Sequence, residues 1–343
     1  MSIQRLLPFA IGLAALPATS LAQSGGQPAA DQGGLEEVVV TAERRESSLQ
    51  SVPVAVTAVS AEAIENRQVF EARDLQRFAP SLRMSNNITS PTNISPSLRG
   101  SLQQDASLVV AESPFGIYVD DVYIARLNGN NVTLADIDRV EVLRGPQGTL
   151  YGRNTLAGAI NFVTRQPGDT PWLSARVGAG NWDQYIAGLS VGGPISDNWS
   201  ASFAAQINNK DNQWFNRATG EETGLERNQA YRAKLVYRGS ETFKATFSLS
   251  YADSKNDSNQ LLPGGSGAIP LNERFTSDDV ALLFGDRTLS TPTVNRGLAL
   301  MSDRPRAETQ QLIASANLSW ETGIGTIRSI TGYVTTDDYF TTS

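Results

Sequence analysis

The chain has 343 residues, with 28 Lys and Arg against 35 Asp and Glu for a formal charge of −7, so it lacks the basic footprint that nucleic acid requires. It contains neither Cys nor His. That excludes disulfides and thiolate sites and removes both the usual imidazole base and the commonest metal ligand, which argues against an enzyme. Beyond the N-terminus no apolar run approaches the ~20 residues of a membrane helix, so any membrane crossing must be made by strands closed into a barrel.

In chain order, Met1–Ala22 carries Arg5, the apolar run Leu6–Leu16, Pro17 and the small-residue site Ser20-Leu21-Ala22. This pattern predicts a secretory signal cleaved after Ala22. Gln23–Gly34 is Gly- and polar-rich and reads as a flexible linker. It leads into Glu36-Glu37-Val38-Val39-Val40-Thr41-Ala42. Consecutive β-branched valines favour an extended chain there. Such a segment is either an ordinary edge strand or a strand that adds itself to another protein's sheet.

Residues 46–168 read as a small α+β domain. Val52–Val59 alternates as a strand does, and Ser60 can cap a short helix with Glu62 in its first turn. A second short helix is expected over Glu71–Phe78, with Leu75 and Phe78 on one face and Pro80 ending it. Phe115–Ile124 reads as a hairpin turning at Asp120-Asp121. In Ile137–Thr164, strand-like Arg139–Leu143 and Ala159–Val163 flank a turn region holding Gly145, Gly148, Gly152 and Gly158, with Pro146 fixing φ after Gly145. The carboxylates Asp120, Asp121, Asp136, Asp138 and Glu141 flank turns and strand ends, where Asp is favoured. Their spacing matches no known ligand set, so no metal site, cofactor or catalytic residue is expected.

Three ordered pieces carry more than local structure: Val140-Glu141-Val142-Leu143-Arg144-Gly145-Pro146, then Leu150-Tyr151-Gly152, then Gly158-Ala159-Ile160-Asn161. Together they resemble the plug signature of TonB-dependent outer-membrane receptors, and Ser97-Leu98-Arg99-Gly100 resembles that family's early plug motif. The signature residues are therefore Arg99, Gly100, Arg144, Gly145, Pro146, Tyr151, Gly152 and Asn161. The resemblance implies that Glu36, Glu37, Val38, Val39, Val40, Thr41 and Ala42 form the TonB box, which pairs with TonB of the inner-membrane energising complex. It also implies that Arg99 and Arg144 are candidates for charge pairs between plug and barrel. Leu150 departs from the pattern, standing where some iron-siderophore receptors carry an arginine.

From Trp172 onward the period becomes two. Tyr185, Ala187, Leu189 and Val191 share a face; so do Trp199, Ala201, Phe203, Ala205 and Ile207, and Tyr231, Ala233, Leu235 and Tyr237. Phe243, Ala245, Phe247, Leu249 and Tyr251 follow, then Leu312, Ala314, Ala316, Leu318 and Trp320. With Trp172–Gly178 and Thr326–Thr335 these make about seven strands, apolar toward lipid and polar inside, with aromatics near their ends. Short turns at Pro194–Asn198, Gly239–Thr242 and Thr322–Gly325 alternate with long loops at Asn209–Gln229 and Ser254–Thr309. Trp214, Phe215, Arg217 and Arg227 in the first loop, and Arg274, Phe275, Phe284 and Arg287 in the second, are candidates to meet an external ligand.

The expected organisation is a signal peptide over 1–22, a linker with TonB box over 23–45, a plug domain over 46–168 and the N-terminal part of an antiparallel transmembrane β-barrel over 169–343. The family's ~22 strands of ~10 residues need roughly 220 residues before any loop, more than follow Gly168, so the barrel is expected to be incomplete. By resemblance the protein sits in the bacterial outer membrane, in contact with its lipid. There it imports a scarce ligand, most readily a ferric siderophore, at the expense of the inner-membrane proton gradient. Uptake of cobalamin or a carbohydrate, or a non-transporting adhesin or porin, are the alternatives.

Overall fold

The computed structural model describes residues 39–41, 44, 47–67, 72–86, 94–102, 112–125, 136–212, 214–216, 221–257, 298–299 and 306–340. The expected signal peptide, the linker, Glu36–Val38 and Ala42 lie outside them, as do Arg217, Arg274, Phe275, Phe284 and Arg287.

The N-terminal part contains β1 (Val39–Val40), β2 (Ser47–Ser48), β3 (Ala55–Ser60), α1 (Ala61–Asn66), a 3-10 helix (Ala72–Arg77), β4 (Leu82–Asn86), β5 (Ile94–Leu98) and β6 (Ser101–Leu102). It continues with β7 (Phe115–Val119), β8 (Val122–Ile124), β9 (Ile137–Arg144), α2 (Gly148–Tyr151) and β10 (Gly158–Thr164). The expected strand at Val52–Val59 starts later, at Ala55, since Pro53 has no N–H to give a ladder. Ser60 caps α1 as expected, its hydroxyl accepting from the Ala63 N–H at 3.3 Å. The second helix is a 3-10 turn rather than an α-helix, and it still buries Leu75 against the core with Phe78 packed beside it. Asp120 and Asp121 both adopt left-handed φ, +47° and +68°, which closes the β7–β8 hairpin in two residues. The Gly-rich turn region is more ordered than a turn, since it winds one helical turn, α2, between β9 and β10.

The centre is a five-stranded sheet in the order β3-β9-β10-β7-β8, with only β10 and β7 parallel. Its two faces follow the period of two. Val140, Val142, Ile160, Phe162, Ile117 and Val119 face α1 and the 3-10 helix in one buried cluster. Glu141, Leu143, Ala159, Asn161 and Tyr118 lie on alternate positions, and Leu143, Ala159, Tyr118, Tyr151 and Val40 form a second cluster. At Gly158, φ is +148° and a Cβ would lie 2.1 Å from the Leu143 carbonyl oxygen. Gly158→Ala is therefore expected to destabilise this sheet by about 3 kcal/mol, from backbone strain and forced separation of β9 from β10. Chemical denaturation would show the midpoint falling, whereas a Gly168→Ala control, where a Cβ meets open space, should leave it in place.

The remaining strands are β11 (Trp172–Ala179), β12 (Tyr185–Ser196), β13 (Trp199–Lys210), β14 (Trp214–Asn216), β15 (Glu221–Thr223), β16 (Glu226–Ser240), β17 (Phe243–Asn256), β18 (Leu298–Ala299), β19 (Ala307–Thr322) and β20 (Gly325–Phe340). Seven of them form one antiparallel meander, β11-β12-β13-β16-β17-β19-β20, the number expected from alternation. Among the described residues β11 and β20 each pair on one side only. The long strands extend into both predicted long loops, which meet in a separate small sheet, β15-β14-β18. Leu189, Phe203, Phe247, Leu249 and Trp320 are exposed on the outer face. Ser200, Ser202, Gln206, Lys234, Thr309 and Gln311 are buried on the inner one. A soluble sandwich would invert that arrangement; a strand wall between lipid and a filled lumen requires it.

The core around the central sheet extends into this wall. Ile313 of β19 is part of its buried cluster, and Val334 of β20 packs against it. Gly332 of β20 lies so close to Val122 that an added Cβ would stand 2.5 Å from a valine methyl.

Candidate functional site

Two sets of contacts stand out. The first anchors the segment after the linker. Val40 is fully buried against Tyr118, Leu143, Tyr151 and Ala159. Burying such a valine stabilises by roughly 2 kcal/mol. Among the described residues β1 pairs with β2 through Val39↔Ser48 and Val40↔Ser47. Thr41 then donates its N–H to Glu141 Oε1 at 2.8 Å and its hydroxyl to the same carboxylate at 3.0 Å. The Tyr151 hydroxyl donates to the Thr41 carbonyl at 3.3 Å, and Asn161 Nδ2 donates to Thr41 Oγ1 at 3.4 Å. Glu141 is wholly buried and is also held by Arg139 Nε at 2.8 Å. Burial works to lower the Arg139 pKa, but the Glu141 charge and hydrogen bond outweigh it and raise it. Burial pushes the Tyr118 phenol up to about 12 and raises that of Tyr151 as well, so both stay neutral donors; Tyr118 donates to the Tyr151 carbonyl at 2.6 Å.

Arg44 lies over the Tyr151 ring, 4.4 Å from its centroid, and pairs with Asp121 at 3.2 Å. Arg328 of β20 closes this clasp, reaching Asp121 at 2.7 Å and the Arg44 carbonyl at 2.9 Å.

The second set joins the central sheet to the strand wall. Lys234 of β16 has a side chain 1% exposed, pairs with Asp120 at 3.0 Å and donates to the Thr164 carbonyl at 3.0 Å. Asp120 also accepts from the Thr164 N–H at 2.9 Å and hydroxyl at 2.7 Å. Burial works to raise the Asp120 pKa, but Lys234 and Arg232 with the Thr164 bonds hold it below the usual carboxylate range. Asp136 accepts from Ser190 of β12 at 3.0 Å, yet burial leaves its pKa raised.

These two carboxylates give opposite pH dependences. Stability from Asp120 is present above its unfolded pKa of ~3.9 and is lost as pH falls through its lower folded value. Stability from Asp136 is full below ~3.9 and is lost as pH rises through its raised folded value. Asp136→Asn should therefore flatten the stability profile on its mildly acidic side, and Asp120→Asn should flatten it at lower pH. Unfolding midpoints measured across pH would check both.

Of the signature residues, Tyr151 and Asn161 meet at Thr41, while Gly145, Pro146 and Gly152 shape the loop around α2. Its ladder is closed by Gly145 N–H to Ala157 O at 3.0 Å and Gln147 N–H to Thr155 O at 2.9 Å. Arg99 and Gly100 form the exposed turn between β5 and β6. The expected charge pairs between plug and barrel fall elsewhere. Among the described residues neither Arg99 nor Arg144 makes an ion pair, and Arg144 Nε is buried without a partner. Arg144 ends β9, in register with Ala55 and Gly158, and Arg99 sits on a solvated turn. The pairs instead use Asp120 and Asp121, read from sequence as turn residues, which they also are. The lumen-facing cations Arg232 and Lys234, two positions apart on one buried strand face, were the signal for such partners. Arg227 pairs with Asp211 at 3.9 Å, both partly exposed.

Residues 48–159 match the family described as TonB-dependent Receptor Plug Domain. The pesticin receptor of Yersinia enterocolitica is 36% identical over 228 residues, covering 64% of this chain and 31% of that protein. Residues 48–159 are thus a plug domain of the TonB-dependent receptor type. The ferric yersiniabactin uptake receptor FyuA from Yersinia pestis superposes with a TM-score of 0.66 at 24% identity, over 83% of this chain and 41% of FyuA. The vitamin B12 transporter BtuB of Vibrio vulnificus is 26% identical over 83% of this chain and 46% of its own length. The chain spans less than half the length of each of these relatives. They are receptors and a transporter, not enzymes.

Proposed function

We propose that this chain acts in energised import across the bacterial outer membrane, with a ferric siderophore as the transported ligand. The observation that carries the reading is the buried seat of Val40 and Thr41 on a plug that is itself ion-paired to a strand wall with an apolar outer face. A passive pore has no use for a strand segment docked on a lumen-filling domain, whereas a receptor that is opened by pulling does. In this reading residues 1–22 are a cleaved signal, 23–45 carry the box Glu36–Ala42, 46–168 are the plug, and 169–343 contribute barrel strands in contact with lipid. TonB captures the box, and the ligand meets the long loops on the outer side. No covalent chemistry is assigned to the chain.

The choice of a ferric siderophore is supported by FyuA, named for ferric yersiniabactin, and by the ferric-pyoverdine M114 receptor PbuA of a Pseudomonas strain, 33% identical over 107 residues. Cobalamin is the second reading, favoured by the long but weaker match to BtuB. Growth of a receptor-deleted strain complemented with the full-length gene distinguishes them. Rescue under iron starvation by a ferric siderophore supports the first, and rescue of cobalamin-dependent growth alone would replace it with the second.

A further inference from the structure

We propose that the plug opens on one side only: the β7–β8 hairpin stays fixed to the strand wall, while β3 and α1 move away from β11–β13. The ligand then passes along the side that opens. This rests on the reading of energised import. The order β3-β9-β10-β7-β8 puts the hairpin and β3 at opposite edges of the central sheet. The wall holds those edges very differently.

The hairpin edge is close-packed and ion-paired. Val122 of β8 lies against Gly332 of β20, and Ile313 of β19 belongs to the same buried cluster. At the turn, Asp120 holds Lys234 of β16 at 3.0 Å and Asp121 holds Arg328 of β20 at 2.7 Å. The Lys234 side chain is 1% exposed. Parting sheet from wall here would wet apolar side chains and strip a buried cation of its partner, and both are costly.

The opposite edge faces a cavity of about 400 Å³. Ile64, Glu65 and Asp136 line it from the plug, and Arg176, Gly188 and Gln206 from the wall. A Cβ added at Gly188 would meet no atom closer than 3.8 Å. A polar space of this size holds water rather than packed side chains. Glu65 reaches Arg176 at 3.8 Å, but their side chains are 62% and 42% exposed, and such pairs contribute little. Two further ties, Ser190 to Asp136 at 3.0 Å and Arg165 over Trp172 at 4.0 Å, lie beside the crossing from β10 to β11, where the chain itself joins sheet and wall. α1 is anchored on the sheet through buried Ile64, so it moves together with β3. A pull on the plug therefore parts the α1 edge before the hairpin edge.

Cross-links in a cysteine-free background of the full-length receptor test this. Val122→Cys with Gly332→Cys places two Cβ atoms 3.3 Å apart, near the ~3.8 Å that a disulfide spans. Glu65→Cys and Arg176→Cys are joined by a short bismaleimide, which replaces the reach of the two side chains removed. The hairpin disulfide should leave TonB-dependent uptake of a ferric siderophore equal to that of its reduced form. The cross-link at α1 should lower uptake to the level of cells without TonB, with surface binding retained. Uptake lost with the hairpin disulfide and restored by reduction would overturn the fixed edge. Uptake unaffected by the cross-link at α1 would overturn the moving one.

A second measurement needs neither import nor Gly332→Cys. Nitroxide pairs at Glu65→Cys/Arg176→Cys and at Tyr123→Cys/Ser329→Cys report each edge by pulsed-EPR distances in lipid vesicles. As urea rises, the α1 pair should lengthen at a lower concentration than the hairpin pair. Both lengthening together, or the hairpin pair first, would overturn the proposal. The α1 pair lengthening first in a receptor that imports no siderophore even without cross-links would support the fixed hairpin and overturn the import reading instead.

Discussion

Val39→Pro is expected to reduce import to the level of cells without TonB, with ligand binding at the cell surface unchanged. Proline removes the N–H and fixes φ near −65°, so residue 39 can no longer donate to a partner strand. Strand addition draws its affinity from such main-chain bonds. Val39→Thr keeps the β-branched preference for an extended chain and should lower import only mildly. The two variants separate backbone recognition from side-chain loss. Docking makes the test sharper, because Val39 is also paired with Ser48 in the resting receptor. Loss of that short pairing loosens the segment and so works toward capture, not against it. A fall in import therefore reports the strand that TonB needs. Normal import by Val39→Pro, or surface binding lost together with import, would remove Val38–Val40 from energy coupling.

The second large effect is expected at Lys234. Replacing it by Met keeps the bulk and leaves Asp120 charged and largely shielded from water beside Arg232, its side chain 17% exposed. Breaking a buried pair by removing one partner costs about 3–5 kcal/mol, because the remaining charge is uncompensated. Arg232 already acts on Asp120 and places the expected loss near the lower end of that range. The double variant Lys234→Met/Asp120→Asn removes both charges and should recover most of the loss, since an ion pair and its apolar replacement differ little in net stability. Denaturant unfolding of the full-length receptor in detergent would measure all three. If Lys234→Met were as stable as the unsubstituted receptor, this pair would not be what holds the plug to β16.

Much of this architecture was legible in the sequence, for a physical reason. Strands between lipid and a polar lumen must alternate, and runs such as Phe243–Tyr251 alternate without interruption. All seven wall strands follow from that rule, and the hairpin at Asp120-Asp121 follows from turn chemistry. The strand at Val52–Val59 was misplaced at its start, because a proline's missing N–H outweighed an alternating pattern. The 3-10 turn at Ala72–Arg77 keeps the apolar face expected of the helix, since Leu75 needs burial whichever helical form carries it.

The site was less legible. Glu141 reads as one more polar residue in a strand, and nothing nearby in sequence marks Thr41 as its partner. Asp120 and Lys234 are likewise far apart along the chain and meet only because β16 passes the β7–β8 hairpin. Arg99 and Arg144 drew attention as signature arginines, yet the pairs formed where lumen-facing cations met hairpin carboxylates. Local patterns determine strands and turns; the partners of buried charges are set by which strands the folded chain brings alongside them.

The central claim, energised import through this chain, is tested most directly by uptake of a radiolabelled ferric siderophore into cells whose only outer-membrane receptor for it is the full-length protein. The measurement is made in paired strains with and without functional TonB. The expected result is accumulation in the first and surface binding without accumulation in the second. Equal accumulation in both strains would contradict the account.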